Sequence, residues 1–336
     1  MRHTFIGAAA VAASLAWGGA ALAEAPTLKF GTTAPPGSHI AKWFDAWVED
    51  VNKAAPDAVK VKVYHNTLGN TRTIYDSIKN RIADFGWFNP GYYPGQFHKI
   101  DVTAMPGVIL KAEYGSVALW RMYDKGAFGD EFNLVRPIGF HAYPPGSLHT
   151  NFPVTDMASL KGKKFGMSSR IDGEILQALG ATPISVGLFD FYQSLQNRVV
   201  DGVVSQWTAF QPFKLQEVTK YHVDFALGSA AALIAFNNDA WKELSADAQK
   251  AIMSKSGETM SRGLGKFWDT VADEAMNEAL KTPGHQLVKL SAEEKAKWYK
   301  AIEPAFDEWR KTTQGSDEVT KALHAQYDAA AKAVTN

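Results

Sequence analysis

Hydrophobic spacing along the chain switches repeatedly between two periods. Leu28–Thr32 is a short apolar run that predicts a strand, and Pro35–Gly37 predicts a turn. Ile40, Trp43, Phe44, Trp47, Val48 and Val51 then recur at the i, i+3, i+4, i+7 spacing of one buried helix face. Val59–Tyr64 in "AVKVKVYHN" alternates like a strand, Thr71–Ala83 predicts a helix, and "ADFGWF" predicts a third strand. That βαβαβ order predicts a parallel sheet with helices on both faces. A second run of the same kind begins near Leu160. It comprises the strand "KKFGMS", a helix over Asp172–Leu179, the strand "TPISVG", a helix over Asp190–Gln196 and the strand "VDGVVSQ". Between the runs lies an aromatic loop region with a connection at Tyr143–Ser147 ("YPPGS").

Past Ser229, "AALIAFNN" predicts an apolar strand. A long helix is predicted from Ala246 to Leu280, with Ile252, Met260, Leu264, Phe267 and Val271 as its buried stripe. Ser291 with Glu294 fits a capping box, and the Ala- and Lys-rich tail favours helix. No repeat of fixed period is present.

The first residues change the picture of where the protein works. Arg2 precedes the apolar stretch Ile6–Ala20, and "ALA" at Ala21–Ala23 supplies an A-x-A cleavage pattern, so residues 1–23 predict a secretory signal peptide cut after Ala23 and a periplasmic mature protein. The chain has no cysteine, which removes disulfides, thiolate nucleophiles and cysteine metal sites together. Its 35 basic and 35 acidic residues balance, so nothing favours nucleic acid as a partner. The length fits roughly two domains.

In open α/β sheets ligands sit beyond the carboxyl ends of strands. The segments there are rich in aromatic rings and amides. Trp87–Phe97 ("WFNPGYYPGQF") follows the third strand and offers Trp87, Phe88, Tyr92 and Tyr93 as pocket walls, against the plainer reading that they pack under a loop. Ser205, Gln206 and Trp207 follow the last strand of the second run directly. His39 follows the first strand, while His141 and His149 are scattered, and no histidine pair has metal-binding spacing. There is no nucleophile elbow, phosphate loop or zinc-hydrolase pattern, so no catalytic residue, metal or other cofactor is assigned. Arg170, in "MSSRIDGEILQALGATPISVG", stands just after a strand at the mouth of a helix; its planar fork suits a carboxylate, and a solvated helix-start residue is the alternative.

"LKGKKFGMSSR" (Leu160–Arg170), "LGATPISV" (Leu179–Val186), "FYQSLQNRVVDGVVSQW" (Phe191–Trp207) and "FNNDAWKELSADAQKAI" (Phe236–Ile252) occur in that order, and "YHNTLGNTRTIYDSIKNRIADFGW" fits the same pattern. Over residues 27–330 the chain resembles the solute-binding receptors of TRAP transporters, the tripartite ATP-independent periplasmic carriers, in their dicarboxylate-receptor-like family. The resemblance implies an α/β two-domain clamshell of the periplasmic-binding-protein fold with a long helix spanning both lobes and the ligand cleft between them. Lobe I is expected from 24–148 plus about 232–275, and lobe II from 149–231 plus about 276–336. The resemblance further implies a carboxylate ligand held by arginine, delivery to membrane TRAP permease subunits, and no enzymatic activity. The family's commonest arginine position falls on Gly166; a second position, in a Ser-Arg pair, matches Ser169–Arg170. Arg198 stands where many relatives have glycine and reads as surface. Asn89 and Asn237 match ligand-contact positions of relatives, with turn amides as the plain reading. One good arginine among many aromatics leads to the expectation of a monocarboxylate, aromatic or keto. A receptor for an ABC importer, an exported α/β enzyme such as a hydrolase, and a sensor-linked binding protein remain alternatives on the sequence.

Overall fold

Strand β1 (Thr27–Thr32) opens lobe I, and Ser38 caps helix α1 (His39–Ala54) by accepting from the Ala41 N–H at 3.3 Å. The coordinates are a computed structural model; it describes residues 25–335 apart from Pro94, so the expected signal peptide lies outside the described residues. The apolar stripe of α1 buries Ile40, Phe44, Trp47, Val48 and Val51 as its spacing requires, leaving Trp43 half-buried. β2 (Lys60–His65) pairs in parallel with β1. Helix α2 (Ile74–Lys79) is shorter than expected. Asn70 and Thr73 exchange side-chain bonds with the loop backbone, holding residues 70–73 in a turn, and Arg81 leaves the helix with φ 58°. β3 (Phe85–Phe88) completes the βαβαβ unit.

The stretch expected as aromatic loop contains regular elements instead: α3 (Ala112–Asp124), β4 (Val135–Ala142) and β5 (Ser147–Thr150). The N-terminus of α3 is capped from far along the chain, its Ala112 and Glu113 N–H groups donating to the Asp269 carboxylate at 2.9 and 3.0 Å. That cap leaves no local mark. β4 is buried on both faces and so lacks alternation.

β6 (Lys164–Met167), α4 (Arg170–Ala178), β7 (Thr182–Ser185), α5 (Phe191–Gln196) and β8 (Gly202–Ser205) follow the alternating order expected of lobe II, and α6 (Phe210–Phe213) and β9 (Tyr221–Val223), which the pattern did not mark, continue it. Arg198 takes φ 57° just past α5, the left-handed conformation that favours glycine there, and is exposed. The chain then returns to lobe I as β10 (Ala231–Asn237), and α7 (Asn238–Lys242) and α8 (Ala246–Ser254) follow. Sheet I has the order β2-β1-β3-β10-β4, with β10 antiparallel to both neighbours.

The long helix is broken. Gly257, at φ 64°, starts α9 (Gly257–Lys281) afresh, and the Trp47 indole donates to the Lys255 carbonyl at the break. Its stripe runs Met260, Leu264, Trp268, Ala272, rather than through Phe267 and Val271, which stay half-buried. Met260, Leu264 and Trp268 pack in lobe I while Ala275 and Ala279 pack in lobe II, so α9 spans the lobes. β11 (Gln286–Val288) completes sheet II, β11-β9-β5-β8-β6-β7. In α10 (Ala292–Ile302) the Glu294 N–H donates to the Ser291 hydroxyl as expected, but the Glu294 carboxylate turns to the Met157 N–H and the Trp298 indole rather than closing the box. The chain does not end in lobe II. Trp309 of α11 (Asp307–Thr312) and Val319 and Leu323 of α12 (Ser316–Thr335) join the lobe I core, and the Tyr327 hydroxyl accepts from Leu110 and Lys111.

The two chain crossings at 143–146 and 224–230 lie side by side. Gly146 donates to Gly228 at 2.6 Å, Tyr143 to Ala230 at 2.9 Å, and Ser229 to Thr103 of lobe I at 3.0 Å. A Cβ at Gly228 would overlap the Ala104 carbonyl, which is backbone and cannot swing aside. Gly228→Ala is therefore expected to cost about 1–3 kcal/mol as overpacking, read as a lowered urea midpoint. An unchanged midpoint would mean that the crossing relaxes freely.

Candidate functional site

The parallel strands fix which edges matter. β4 ends at Ala142 and the chain crosses directly to β5, so the carboxyl ends of β1, β3 and β4 in lobe I face the hinge, as do those of β6, β8 and β9 in lobe II. This is the cleft that the strand rule selects.

On the lobe II side, Ser169 caps α4 by accepting from the Asp172 N–H at 3.1 Å, and Asp172 bonds back to Ser169. Burial pushes Asp172 up to about 6 against those bonds. Arg170 is thereby held at the first helical position, beside the strand end. A cation there opposes the helix dipole, a mismatch of about 0.3–1 kcal/mol. Its guanidinium is more than half exposed and pairs with Glu174 one turn on. Such exposed i,i+4 pairs are worth only about 0.3–0.5 kcal/mol, so the fork is readily released. Its charge also reaches Asp101, on the 3-10 turn Ile100–Ala104 of lobe I, whose carboxyl is raised to about 6 by burial and by Glu131 and drawn down by His98 and Arg170. At Gly166, Val203 and Phe191 lie 3.2 and 3.5 Å from where a Cβ would sit, filling the space an arginine stem would need.

Trp207 follows β8, the neighbour of β6, so it and Arg170 stand at adjacent strand ends. It packs half-buried on a chain of imidazoles. His149 Nε2 lies 3.1 Å from the Ser205 carbonyl and must donate; His149 Nδ1 then accepts from His222 Nδ1 at 3.0 Å, and His222 Nε2 accepts from His285 Nδ1 at 3.1 Å. Burial pushes His149 down to about 3, and burial with its two histidine neighbours pushes His222 down to about 2. Ser205 is buried with its carbonyl held from behind, and Gln206 is half-buried beside it. Among the described residues no group of three ligating side chains is placed to hold a metal ion.

On the lobe I side, Trp87, the third residue of β3, donates to His141 Nε2 at 2.9 Å, deep in the protein. An indole N–H only donates, so His141 is neutral and carries its proton on Nδ1. Burial pushes its pKa down to about 3. The Ala142 backbone is close enough to support that proton but lies outside hydrogen-bond geometry, and Nδ1 has no partner. The His141, Tyr143 and Trp268 rings touch one another, with centroids 4.9, 4.9 and 5.9 Å apart. Trp268 Nε1 is likewise buried without a partner. A buried donor left unpaired costs about 1–3 kcal/mol. Tyr92 is 43% exposed and close enough to raise the Tyr143 phenol further, on top of burial.

Phe88, Tyr93 and Asn237 are turned elsewhere. Phe88 is 1% exposed and points to the opposite face of β3 from Trp87, into the core with Tyr75 and Phe97. Tyr93 packs beside it, its hydroxyl accepting from the Tyr75 N–H, and burial pushes it up to about 12. Asn237 ends an antiparallel strand and so lies at the far edge of sheet I. Its amide donates to Ile78 and Lys79 and accepts from Asp239 and Ala240, capping α7 with no capacity turned to the cleft. Asn89 is half-buried and accepts from the Gly91 N–H as a turn residue. His39 is exposed at the first position of α1, on the cleft edge. His141, Tyr143 and Trp268 were not expected in the site. The aromatic "FHAYPP" run just before the crossing was the available signal; Trp268 had none beyond its helix phase. Arg72, exposed on the loop after β2, also lies at the cleft edge.

The profile of the DctP family, bacterial extracellular solute-binding protein family 7, matches residues 30–312. The C4-dicarboxylate-binding periplasmic protein DctP of Rhodobacter capsulatus is 26% identical, over 97% of this chain and 96% of its own. A marine metagenome TRAP solute-binding protein specific for aromatic acids, solved with 3-hydroxybenzoate, is 25% identical with a TM-score of 0.82, covering 91% of this chain and 99% of that one. A TRAP solute-binding protein from Rhodoferax ferrireducens, solved with copurified benzoate, has the same identity and TM-score over 92% of this chain and 99% of its own.

The imidazole chain yields a signed pH dependence. His149 and His222 are lowered in the folded state, so the unfolded chain binds more protons below about pH 6.5. Their contribution to stability is complete above that pH and falls as pH drops toward about 3, each by about 1.4 kcal/mol per unit. Nitrogen-15 NMR is expected to show both rings neutral at about pH 4.5, His149 as the Nε2–H form. A titration of either near its ordinary value would break the assigned order.

Proposed function

We infer the function from a firm premise: the chain belongs to bacterial extracellular solute-binding protein family 7 and is a TRAP periplasmic solute-binding protein for an organic acid. Its ligand, in our reading, is a monocarboxylate with an aromatic or keto body, and Arg170 anchors the carboxylate. The observation that carries this is Arg170 itself. It is a cation at the positive end of a helix, on a strand end facing the cleft, more than half exposed and paired within its own helix to the half-buried Glu174. A carboxylate arriving there reverses the mismatch with the helix dipole and meets the fork bidentately. The aromatic edges of both lobes supply walls for a flat body, and the relatives solved with 3-hydroxybenzoate and benzoate accord with that.

Contacts from both lobes favour a closed arrangement, so ligand shifts an open–closed equilibrium by hinging at the two crossings and along α9. The closed form is what the membrane TRAP permease subunits recognise, after export and cleavage past Ala23. A second reading, a C4-dicarboxylate, draws on the Rhodobacter relative and on Arg72, a cation at the lobe I edge able to meet a second carboxylate.

Calorimetry with benzoate and succinate separates them. Losing one partner of a desolvated charge pair costs about 2–5 kcal/mol, so Arg170→Ala is expected to weaken benzoate binding about thirty-fold or more, and Arg170→Lys nearly as much because the fork is lost. Binding within about threefold of wild type would move the anchor elsewhere. Tight succinate binding abolished by Arg72→Ala would establish the second reading. Small-angle scattering is expected to show a smaller radius of gyration with saturating ligand; an unchanged profile with ligand verified as bound would exclude closure.

A further inference from the structure

We propose that the ring triangle of His141, Tyr143 and Trp268 is a subsite for an uncharged oxygen acceptor on the body of the ligand, which makes the ligand an oxo- or hydroxy-monocarboxylic acid. This rests on the reading that an organic acid binds with its carboxylate at Arg170. Four buried side-chain polar atoms among the described residues lack partners, and two of them, His141 Nδ1 and Trp268 Nε1, belong to touching rings. The other two, Gln216 Oε1 and Thr313 Oγ1, lie on unrelated parts of the fold. Tyr143, in contact with both rings, has no protein acceptor for its hydroxyl.

Each of the three groups is a donor. His141 is locked as one because its other nitrogen receives the Trp87 indole, and the indole of Trp268 has no other role. A cluster of donors without an acceptor is complementary to an oxygen lone pair. The charge of that oxygen follows from the surroundings. His141 and Tyr143 feel no cation, their environment being burial, backbone and the Tyr92 phenol. A carboxylate there would be buried unpaired, which is far costlier than a neutral carbonyl or hydroxyl. A carbonyl fits best, since it accepts two or more bonds and brings no proton that itself needs an acceptor. The aromatic faces around it, Trp87 included, match a flat body joining that oxygen to the acid group.

The test uses matched acids on the full mature protein by calorimetry: benzoate against its three hydroxybenzoates, and 3-phenylpropanoate against phenylpyruvate. At least one oxygen-bearing acid is expected to bind more tightly than its parent. In Tyr143→Phe, which keeps the ring, and in Trp268→Phe, which loses the N–H together with part of the indole, that acid is expected to lose about three- to tenfold more affinity per donor than its parent does. Thermal melting verifies that each variant folds, and Tyr143, half-buried, is the safer of the two. Equal losses for parent and derivative would place the carboxylate itself in the triangle and overturn the inference. No loss for either would mean that ordered water occupies the donors, and overturns it too. If wild-type protein binds none of these acids, the reading of the ligand class fails and the inference falls with it.

Discussion

Strand β10 places seven consecutive buried residues between β3 and β4 and is hydrogen-bonded on both sides. Sheet I cannot close until the chain has left lobe I, built most of lobe II and come back. Much else in the molecule follows from that return. It forces the second crossing at 224–230 to lie against the first at 143–146, with the Thr103–Gly107 segment strapped across them by Ser229 and Gly107. It makes lobe I the product of distant segments, reinforced by the Asp269 cap on α3 and by the docking of α12 on the same helix. The two sheets, each with its own packed interior, are thereby joined where these crossings lie side by side and along α9.

The parallel units were legible because they are local. The stripe of α1, the alternation of β2 and the sequence of lobe II elements each rest on spacing alone. What escaped depends on contacts remote in sequence. Helix α3 is started by a carboxylate from α9, β4 is buried on both faces, and the break before α9 is set by a positive-φ glycine and an indole from α1. The return of α11 and α12 to lobe I rests on Trp309 and Leu323 fitting a core that only the assembled lobe presents.

For the site, position just past a parallel strand put Trp207 and Arg170 at the strand ends that face the hinge, while Trp87 lies buried within β3 itself. It misled at Asn237 because β10 runs the other way, putting its end at the far edge. Within the Trp87–Phe97 run, alternation separated Trp87 from Phe88, and Tyr93 turned inward to hold α2. Charge was read from residue type, yet environment decides it here. His141 is a fixed neutral donor, and Arg170 is a cation whose local bonds are weak. Neither property is written in one residue; each comes from what the fold sets beside it.

Trp268 sits in the ring triangle with a bare indole N–H, while Trp87 beside it is already bonded, and Trp207 stands at the facing strand ends. Indole emission responds to a new acceptor and to loss of nearby water, so the cleft carries its own optical reporter. Trp47, Trp298 and Trp309 are buried with their N–H groups bonded to carbonyls or a carboxylate, and they contribute a steady background against which an event in the cleft stands out. A ligand seated in the triangle as proposed would thus change the colour of the protein's own fluorescence, without a label and without itself having to absorb.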